Sequence, residues 1–410
     1  MTGFTTRAVH GAADGKDVHG ALRTPVYDTA AFAHESSLDI QMAFEGKKAA
    51  HSYSRISNPT VSDFEQRLRL LTGARGVLAL ASGMAAISNL VLVIAGAGRN
   101  IVTSRYLFGN TLSLFQHTLG PWGLETRFVD MTRPDEVAAA IDSNTCALFL
   151  EAITNPQLEV ADFTALGTIA AEHRVPLVVD TTMVTPYLFP AAKFGVAVEV
   201  ISSTKYISGG ATSIGGAVID TGVFDWRLLP GLRAWAAKAG PMALLAALRR
   251  ETFRNLGACL APHNAYLQSL GLETLSLRID RSCENALDLA RFLDRQPKIV
   301  KVNYPGLAES PFHQLARQQF GGRFGGVLTF ALADRQSCFT LMDTLGLIRR
   351  ATNINDNKTL ILHPASTLFC EFSAAEKEEM GVTDNLVRLS VGIEDVEDLK
   401  VDLLKGLARL

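Results

Sequence analysis

Two polar residues each follow an apolar run of the kind that forms a buried strand. Asp180 ends the run that begins at Pro176, and Lys205 comes shortly after the run 198–202. Taken singly, the acid is explained as a helix cap and the lysine as a solvated loop residue. Together they supply what pyridoxal 5'-phosphate requires, an amine that condenses with its aldehyde and a carboxylate that keeps its ring nitrogen protonated. The pair therefore predicts a site for this cofactor.

The turn at Ser82, Gly83 and Met84 is a candidate holder for the cofactor phosphate. It joins an apolar, strand-like run to a helical pattern, and free N–H groups at the start of a helix favour an anion. Ser202 and Thr204 add hydroxyl groups beside the lysine. A turn of this type, taken alone, is more simply explained by packing, so its assignment depends on the other residues.

The N-terminal segment has many Gly and Pro residues and little periodicity, which predicts an extended arm over residues 1–55. Arms of this kind often pack on a partner, so we expect this one to contact a neighbouring subunit. Tyr53 and Arg55, at its end, offer a phenol and a guanidinium. The paired N–H donors of an arginine suit a phosphate.

Short β-rich runs alternate with helical stretches from residue 76 to about 255, which is typical of a mostly parallel sheet covered on both faces. The predicted strands are 77–81, 101–103, 125–129, 146–151, 176–180, 198–202 and 216–219. Ligands of such sheets bind at the carboxyl ends of the strands, where Asp180 and Lys205 lie. We therefore assign residues 56–255 to a large cofactor-binding α/β domain.

The pattern changes after residue 255, which predicts a smaller α+β domain over residues 256–410. Its strands are expected at 299–302 and 326–331, and Ser282 is expected to cap a helix. The last helix should begin near Asp395. Arg388 lies in an otherwise apolar strand, and a buried charge needs a partner. That partner is either an acid of the same chain or a bound ligand.

Charge and composition exclude several classes of protein. Lys and Arg total 39 and Asp and Glu total 41, which gives a net charge of −2 and no basic field for nucleic acid or anionic membranes. Five scattered cysteines and nine scattered histidines predict neither disulfides nor a metal site. This cysteine usage indicates a reducing compartment, and we expect the cytoplasm.

Two segments resemble membrane or targeting signals only superficially. Residues 1–20 lack the apolar region of a signal peptide. Residues 76–98 carry no charge and are nominally long enough to span a bilayer. Their order, a short strand, a Ser-Gly turn and a helix that contains Ser88 and Asn89, instead favours buried elements of the α/β domain.

Five ordered motifs resemble those of the cysteine/methionine-metabolism family of pyridoxal phosphate enzymes. They are Tyr-Ser-Arg-Ile-Ser-Asn-Pro-Thr at 53–60, Ala-Ser-Gly-Met-Ala-Ala at 81–86, residues 151–156, Val-Asp-Thr-Thr at 179–182 and Ser-Ser-Thr-Lys-Tyr at 202–206. The resemblance runs from about residue 5 to the C-terminus. It implies the aspartate aminotransferase-like fold (fold type I) and a homotetramer assembled as a dimer of dimers.

The resemblance also implies roles for individual residues. Lys205 would hold the cofactor and shuttle protons, and Tyr106 would stack on its ring and protonate the leaving group unless it is only a buried aromatic residue. Arg388 would clamp the substrate carboxylate, with Tyr53 nearby, unless it forms an internal salt bridge. The implied cofactor-binding residues are Tyr53, Arg55, Ser82, Gly83, Met84, Tyr106, Asn155, Asp180, Thr182, Ser202, Thr204 and Lys205, with Tyr53 and Arg55 coming from the neighbouring subunit.

Within the family, several stretches most resemble the sulfhydrylases that act on O-acetylhomoserine in methionine biosynthesis. These stretches are 209–226, 255–278, 363–367 and 385–395. The implied reaction is γ-replacement, in which a sulfur nucleophile displaces acetate to give homocysteine or methionine. A cystathionine or methionine lyase of the same family is the alternative, and a non-catalytic assembly subunit is a remote one.

The sequence also departs from the sulfhydrylase pattern around the expected substrate channel. Ile201 and Ala211 stand where relatives usually carry histidine. The stretch 353–357 is bulkier and more polar than expected, and 368–371 lacks the usual Thr-His. The acyl group and the sulfur donor therefore stay open.

Overall fold

A seven-stranded sheet and a five-stranded sheet form the framework of the protein. The structure is a computed structural model that describes residues 3–11 and 19–410. The large sheet has the order β1-β7-β6-β5-β4-β2-β3 and the small sheet the order β10-β11-β12-β9-β8. The strands are β1 Gly76–Leu80, β2 Asn100–Thr103, β3 Glu125–Phe128, β4 Thr145–Glu151, β5 Leu177–Asp180, β6 Val196–Ile201, β7 Gly216–Asp220, β8 Lys301–Asn303, β9 Val327–Ala331, β10 Arg349–Arg350, β11 Leu360–Leu362 and β12 Leu386–Ser390.

Helices surround both sheets. They are α1 Phe4–His10, α2 Ser37–Glu45, α3 Pro59–Thr72, α4 Gly83–Ile94, α5 Gly109–Ser113, α6 Pro134–Ala140, α7 Phe163–His173, α8 Thr185–Leu188, α9 Arg233–Ala239, α10 Ala243–Leu248, α11 Arg254–Leu256, α12 Pro262–Glu273, α13 Leu275–Asp294, α14 His313–Gln319, α15 Arg335–Thr344, α16 Ala374–Glu379 and α17 Val396–Ala408.

The large sheet confirms the predicted mostly parallel α/β fold. β2 to β6 pair in parallel, and only β7 runs antiparallel, between β1 and β6. Side chains alternate between two apolar cores, so that Leu78 and Leu80 of β1 face one core while Val77 and Ala79 face the other. Both faces are therefore covered, as continuous apolar strands require.

The uncharged segment 76–98 forms β1, a turn and α4, as the sequence predicts. The Ser82 hydroxyl accepts the backbone N–H of Ala85 at 3.0 Å and so caps α4. The turn lets the chain reverse from a buried strand into a helix that lies on the sheet. Among the described residues, no helix combines the length and the apolarity that crossing a membrane requires.

One predicted helix boundary is wrong in the C-terminal region. Ser282 does not cap a helix, because α13 begins at Leu275 and contains Ser282 in its interior. The apolar face extends further back than expected, through Ile279 and Leu275, both of which are buried. The Ser282 hydroxyl instead donates to the carbonyl of Val391 at 2.8 Å. It thereby ties α13 to the segment that follows β12.

The N-terminal arm contains two helices that its composition does not predict. α1 packs against α3, α12 and α13. α2 buries none of its residues, and its Leu38 and Phe44 are 62% and 63% exposed. The predicted arm also includes residues 1, 2 and 12–18, which lie outside the described residues.

Candidate active site

A cavity of about 290 Å³ lies at the carboxyl ends of β4, β5 and β6, facing β12 and the loop before β11. All but three of the residues that the sequence nominates line it. Those brought together are Ser82, Gly83, Met84, Asn155, Asp180, Thr182, Ser202, Thr204, Lys205 and Arg388. The three that do not line it are Tyr53, Arg55 and Tyr106.

Two carboxyl groups stand side by side on the sheet edge of the cavity. Asp180 ends β5 and lies in register with Glu151 at the end of β4. Burial raises the pKa of Asp180, although hydrogen bonds from Thr182, including its backbone N–H at 2.9 Å, oppose the shift. Burial and then the charge of Asp180 raise the pKa of Glu151 well above its usual value. This edge therefore suits a ligand that brings a positive charge or an N–H donor.

The Lys205 amine lies in the cavity, and in the described part of the chain no carboxylate forms an ion pair with it. Its Nζ donates to Oδ1 of Asn353 at 2.6 Å, and the amide of Asn353 donates in turn to Asp356 at 3.1 Å. Burial and, after it, the positive charge of Arg388 lower the pKa of Lys205 to about 8, while Asp356 opposes both. About a tenth of the amine is therefore neutral, and hence nucleophilic, at pH 7.

The end of the cavity formed by the start of α4 suits a phosphate. Gly83 and Met84 are the first residues of α4, so their N–H groups have no partner within the helix. A Cβ atom on Gly83 would come within 2.8 Å of Cβ of Ser202, so only glycine allows this close approach. The Thr204 hydroxyl, which bonds to Gly215 at 3.1 Å, completes this end. Hydroxyls and N–H groups thus meet where the sequence predicts the cofactor phosphate.

Arg388 lies on β12 and is 2% exposed. Its guanidinium donates to Oδ1 of Asn155 at 3.1 Å and to the carbonyl of Asn353 at 3.2 Å, while its Nε has no partner. Burial alone lowers its pKa to about 9. Among the described residues, no carboxylate forms a salt bridge with it, so the internal salt bridge considered above is absent there. A bound carboxylate would supply the missing partner.

Tyr106 does not line this cavity. It lines a neighbouring cavity of about 270 Å³, beside Asp130 and Glu159. Burial and the charges of these two acids raise its pKa. Phe108, two residues further on, lines the site cavity instead, and its N–H donates to a carboxylate oxygen of Glu151 at 2.5 Å. The position expected for the tyrosine in the cavity is therefore held by an aromatic ring without a hydroxyl.

Tyr53 and Arg55 lie outside the cavity of their own chain. Tyr53 is 42% exposed, and the Arg55 guanidinium carbon lies 5.3 Å from the centre of its ring. Arg55 also donates to the carbonyl of Arg254 at 2.7 Å. Their contribution to a neighbouring subunit's site stays a prediction.

Sequence reasoning missed three residues of the site. Glu151 carries the same signal as Asp180, a polar residue that ends a buried strand, and could have been found by it. Phe108 lies just beyond an irregular segment, where no periodicity fixes which side chain faces the cavity. Asn353 approaches Lys205 across 148 residues of chain, a contact that no local pattern predicts.

Comparisons with known proteins agree with this geometry. The family model described as Cys/Met metabolism PLP-dependent enzyme matches residues 5–408. The solved O-acetylhomoserine sulfhydrylase of Wolinella succinogenes is 54% identical, with a TM-score of 0.78 over 86% of this chain and 99% of that chain.

Two further relatives cover nearly the whole chain. A structure of a candidate O-acetylhomoserine (thiol)-lyase from Campylobacter jejuni is 34% identical, with a TM-score of 0.94 over 99% of this chain and 100% of that chain. It carries a pyridoxyl-lysine monophosphate. L-methionine gamma-lyase of Pseudomonas putida is 37% identical over 413 residues, 99% of this chain and 98% of that protein.

Proposed function

The chain belongs to the Cys/Met metabolism PLP-dependent enzymes, and on this premise we propose that it replaces the acyl group of O-acetylhomoserine by sulfur. In this γ-replacement the Cγ–O bond breaks, acetate leaves with the electron pair, and the sulfur nucleophile forms a new bond to Cγ. Sulfide would give homocysteine and a thiol such as methanethiol would give methionine. The observation that carries the proposal is that Lys205, Asp180 and the buried Arg388, whose Nε has no partner, line one cavity.

Pyridoxal phosphate, when bound, supplies an electron sink that acidifies the protons next to its substrate's carbon–nitrogen bond. The residues of the chain fit this group. Gly83, Met84 and Thr204 would bind its phosphate, and the buried carboxyl of Asp180 would pair with its ring nitrogen. Lys205, with its pKa lowered to about 8, would take the proton from Cα of the substrate and return it later.

Arg388 would orient the amino-acid substrate. Its unpaired Nε and its position on the small-sheet side of the cavity allow two parallel hydrogen bonds to the α-carboxylate. The carbonyl of Asn353 and the amide of Asn155 hold the guanidinium from behind. Fixing the carboxylate in this way would direct Cα toward Lys205.

The proposal includes a second copy of the chain. Tyr53 and Arg55 lie outside their own cavity, and the arm exposes the apolar side chains Leu38 and Phe44. Packing of the arm on a neighbour would cover these side chains and bring Arg55 to the phosphate end of the neighbour's site. We extend this to a homotetramer built from two such dimers, with an arm over 1–55, a cofactor domain over 56–255 and a small domain over 256–410.

Subunit complementation tests whether Arg55 acts on the neighbouring site. Arg55→Ala and Lys205→Ala are each expected to be nearly inactive. If Arg55 serves the neighbour, one of the two sites in a mixed dimer is intact, so co-refolding in equal amounts should restore about a quarter of wild-type activity. If both residues serve the same site, mixing restores nothing. Either variant refolded alone controls for spontaneous recovery.

We also place the enzyme in the cytoplasm. All five cysteines are free, and three of them, Cys146, Cys283 and Cys338, are buried. Free thiols of this kind persist in a reducing compartment. Localisation of the chain in cell fractions checks this point.

The reaction itself is tested by supplying O-acetylhomoserine to the purified holoenzyme with and without sulfide. We expect homocysteine and acetate that depend on sulfide, and little 2-oxobutanoate. The similarity to methionine gamma-lyase favours elimination as the second candidate. That activity would release 2-oxobutanoate and ammonia whether or not sulfide is present, and would overturn the proposal. Lys205→Ala is the inactive control, and it should lack both the replacement and the elimination activity.

A further inference from the structure

The groups that line the site cavity include very few proton donors. Among the described residues that line it there is no tyrosine, histidine or cysteine, and Phe108 is the single aromatic side chain. The lining also includes the apolar side chains Ile87, Ile153 and Met84. Apart from Glu151, Asp180 and Lys205, the described lining therefore offers no acid to a departing group.

The two carboxyl groups of the cavity are held at one edge by backbone N–H groups. The backbone N–H of Phe108 donates to Glu151, and the backbone N–H of Thr182 donates to Asp180 at 2.9 Å. Both acids lie at the strand ends, where the proposed ring nitrogen would take Asp180. Glu151, whose pKa burial raises well above its usual value, keeps its proton at this same edge, in register with Asp180. Lys205 is already used at Cα in the proposed reaction.

Leaving groups differ in how much they need such an acid. A carboxylic acid has a pKa of about 4, so a departing acetate is stable as an anion. A thiol has a pKa of about 8.5, so a departing thiolate gains much more from protonation as the bond breaks. A cavity whose described lining offers no tyrosine, histidine or cysteine to the leaving group therefore favours esters over thioethers.

We infer that Phe108 is a specificity-determining residue that makes this site cleave the Cγ–O bond of an ester in preference to the Cγ–S bond of a thioether. In ester cleavage, acetate leaves with the electron pair and no proton is transferred to it. In thioether cleavage the thiolate would also leave with the electron pair and would have to take its proton from water or Lys205. The inference rests on the proposed function and deepens it, because it names the class of leaving group.

Phe108→Tyr is the smallest change that adds a proton donor at this position. In the holoenzyme we expect it to raise kcat/KM for elimination from methionine about tenfold, less than the roughly 10²- to 10⁴-fold of an evolved general acid, with the replacement reaction changed less than about threefold. An unchanged ratio between the two reactions would overturn the inference. Inactivity of the wild-type holoenzyme toward O-acetylhomoserine would instead defeat the proposed function, so the two failures are distinguishable.

Cofactor binding gives a readout that does not depend on activity. An aromatic contact contributes about 0.5–1.5 kcal/mol, so Phe108→Ala should weaken binding of pyridoxal phosphate to the apoprotein by about 2- to 12-fold. Tyr106→Ala should weaken it less than Phe108→Ala does, because Tyr106 lines the other cavity. The reverse order, measured by equilibrium dialysis, would show that Tyr106 is the ring contact and would overturn the inference.

Tyr53 of a second copy is the other phenol to consider. Tyr53→Phe, assayed with both substrates, tests whether it already serves as the acid. An unchanged ratio of thioether to ester cleavage supports the inference. A fall in that ratio would identify the arm phenol as the proton donor, and the assignment of selectivity to Phe108 would fail.

Discussion

The two walls of the cavity carry different ionisable groups, and among the described residues none of Glu151, Asp180, Lys205 and Arg388 forms a salt bridge. The strand-end wall consists of Glu151, Asp180 and Lys205, and burial raises the pKa of both of its acids. The C-terminal wall consists of Thr352, Ile354 and Arg388, and burial lowers the pKa of Arg388 to about 9. Among the described residues, no salt bridge joins Arg388 to either acid. The guanidinium of one wall and the carboxyl groups of the other therefore do not neutralise each other.

This separation indicates what the cavity is built to bind. Buried charges without partners destabilise a fold, and a protein tolerates them where a bound ligand supplies the partner of opposite charge. A ligand with a positive ring nitrogen at the acid edge and a carboxylate at the guanidinium would satisfy both walls. A cofactor joined to an amino acid has these two charges. Variants on the two walls should therefore fail in different ways.

Removing the acid of the strand-end wall is expected to have the largest effect. Asp180→Asn should lower kcat about 10²- to 10³-fold, the range found when one electrostatic contact to a developing charge is lost. The same change should not lower the thermal stability of the apoprotein, because it removes a carboxyl group whose pKa burial raises. Asp135→Asn, on the exposed side of α6, is the matched control. A fall in apoprotein stability together with activity would mean that Asp180 is structural.

Removing the cation of the C-terminal wall should act mainly on substrate binding. Arg388→Met should raise KM for O-acetylhomoserine about 10- to 100-fold, because a charged hydrogen bond contributes about 1.5–3 kcal/mol. Cofactor affinity of the apoprotein should change far less. Arg349→Met, on exposed β10 of the same sheet, is the control. An equal loss of cofactor affinity would contradict the assignment of the two walls to different parts of the ligand.

Glu199 is a buried acid for which no ligand is proposed, and its burial lowers the stability of the fold. It lies in β6 and accepts only the Thr181 hydroxyl, at 3.1 Å, and burial raises its pKa from 4.5 to about 7. Unfolding then releases a proton between these pH values, so this group lowers stability as pH rises through that window. Relative to the wild type, Glu199→Gln should leave the free energy of unfolding unchanged near pH 4.5 and raise it by about 3 kcal/mol above pH 7.

Thermal unfolding of Glu199→Gln and the wild type across pH 4.5 to 8 checks this prediction. The difference in melting temperature should grow with pH. Glu172→Gln, at an exposed position of α7, controls for a general effect of removing one negative charge. A stabilisation that is the same at every pH would mean that Glu199 does not change protonation on folding.

The sequence predicts the large sheet well because a parallel strand buried on both faces leaves a long apolar run. The observed strands of that sheet begin and end within two residues of the predicted ones. β10 has two residues and β11 three, which is too short for any pattern to mark. The start of α13 and the arm helix α1 escape prediction because their apolar positions pack against distant parts of the chain.

The strand-end wall is also the predictable part of the site. Parallel topology brings the ends of β4, β5 and β6 together, so the order of the strands along the chain is enough to pair Asp180 with Lys205. The C-terminal wall depends on long-range contacts such as that of Asn353 with Lys205. Residue type favours Tyr106 over Phe108, two positions away in an irregular segment, and only the three-dimensional path of the chain shows which one faces the cavity.

The smallest expected effect couples the two walls through Lys205. Its neutral amine is the reactive form, so the rate at which the apoprotein attaches pyridoxal phosphate should rise with pH, with a midpoint near its pKa of about 8. Arg388 lowers this pKa and Asp356 raises it. Arg388→Met should therefore move the midpoint to higher pH and Asp356→Asn to lower pH, each by less than about one unit. Stopped-flow absorbance measures both.

The opposite signs are what make this test sharp. A loosened cavity would hydrate Lys205 and raise its pKa in either variant, because burial is the main cause of the shift. Loss of a specific charge shifts the midpoint up in one variant and down in the other. Two shifts in the same direction would therefore show that the walls influence Lys205 only by burying it, and that their charges act separately on the two ends of the ligand.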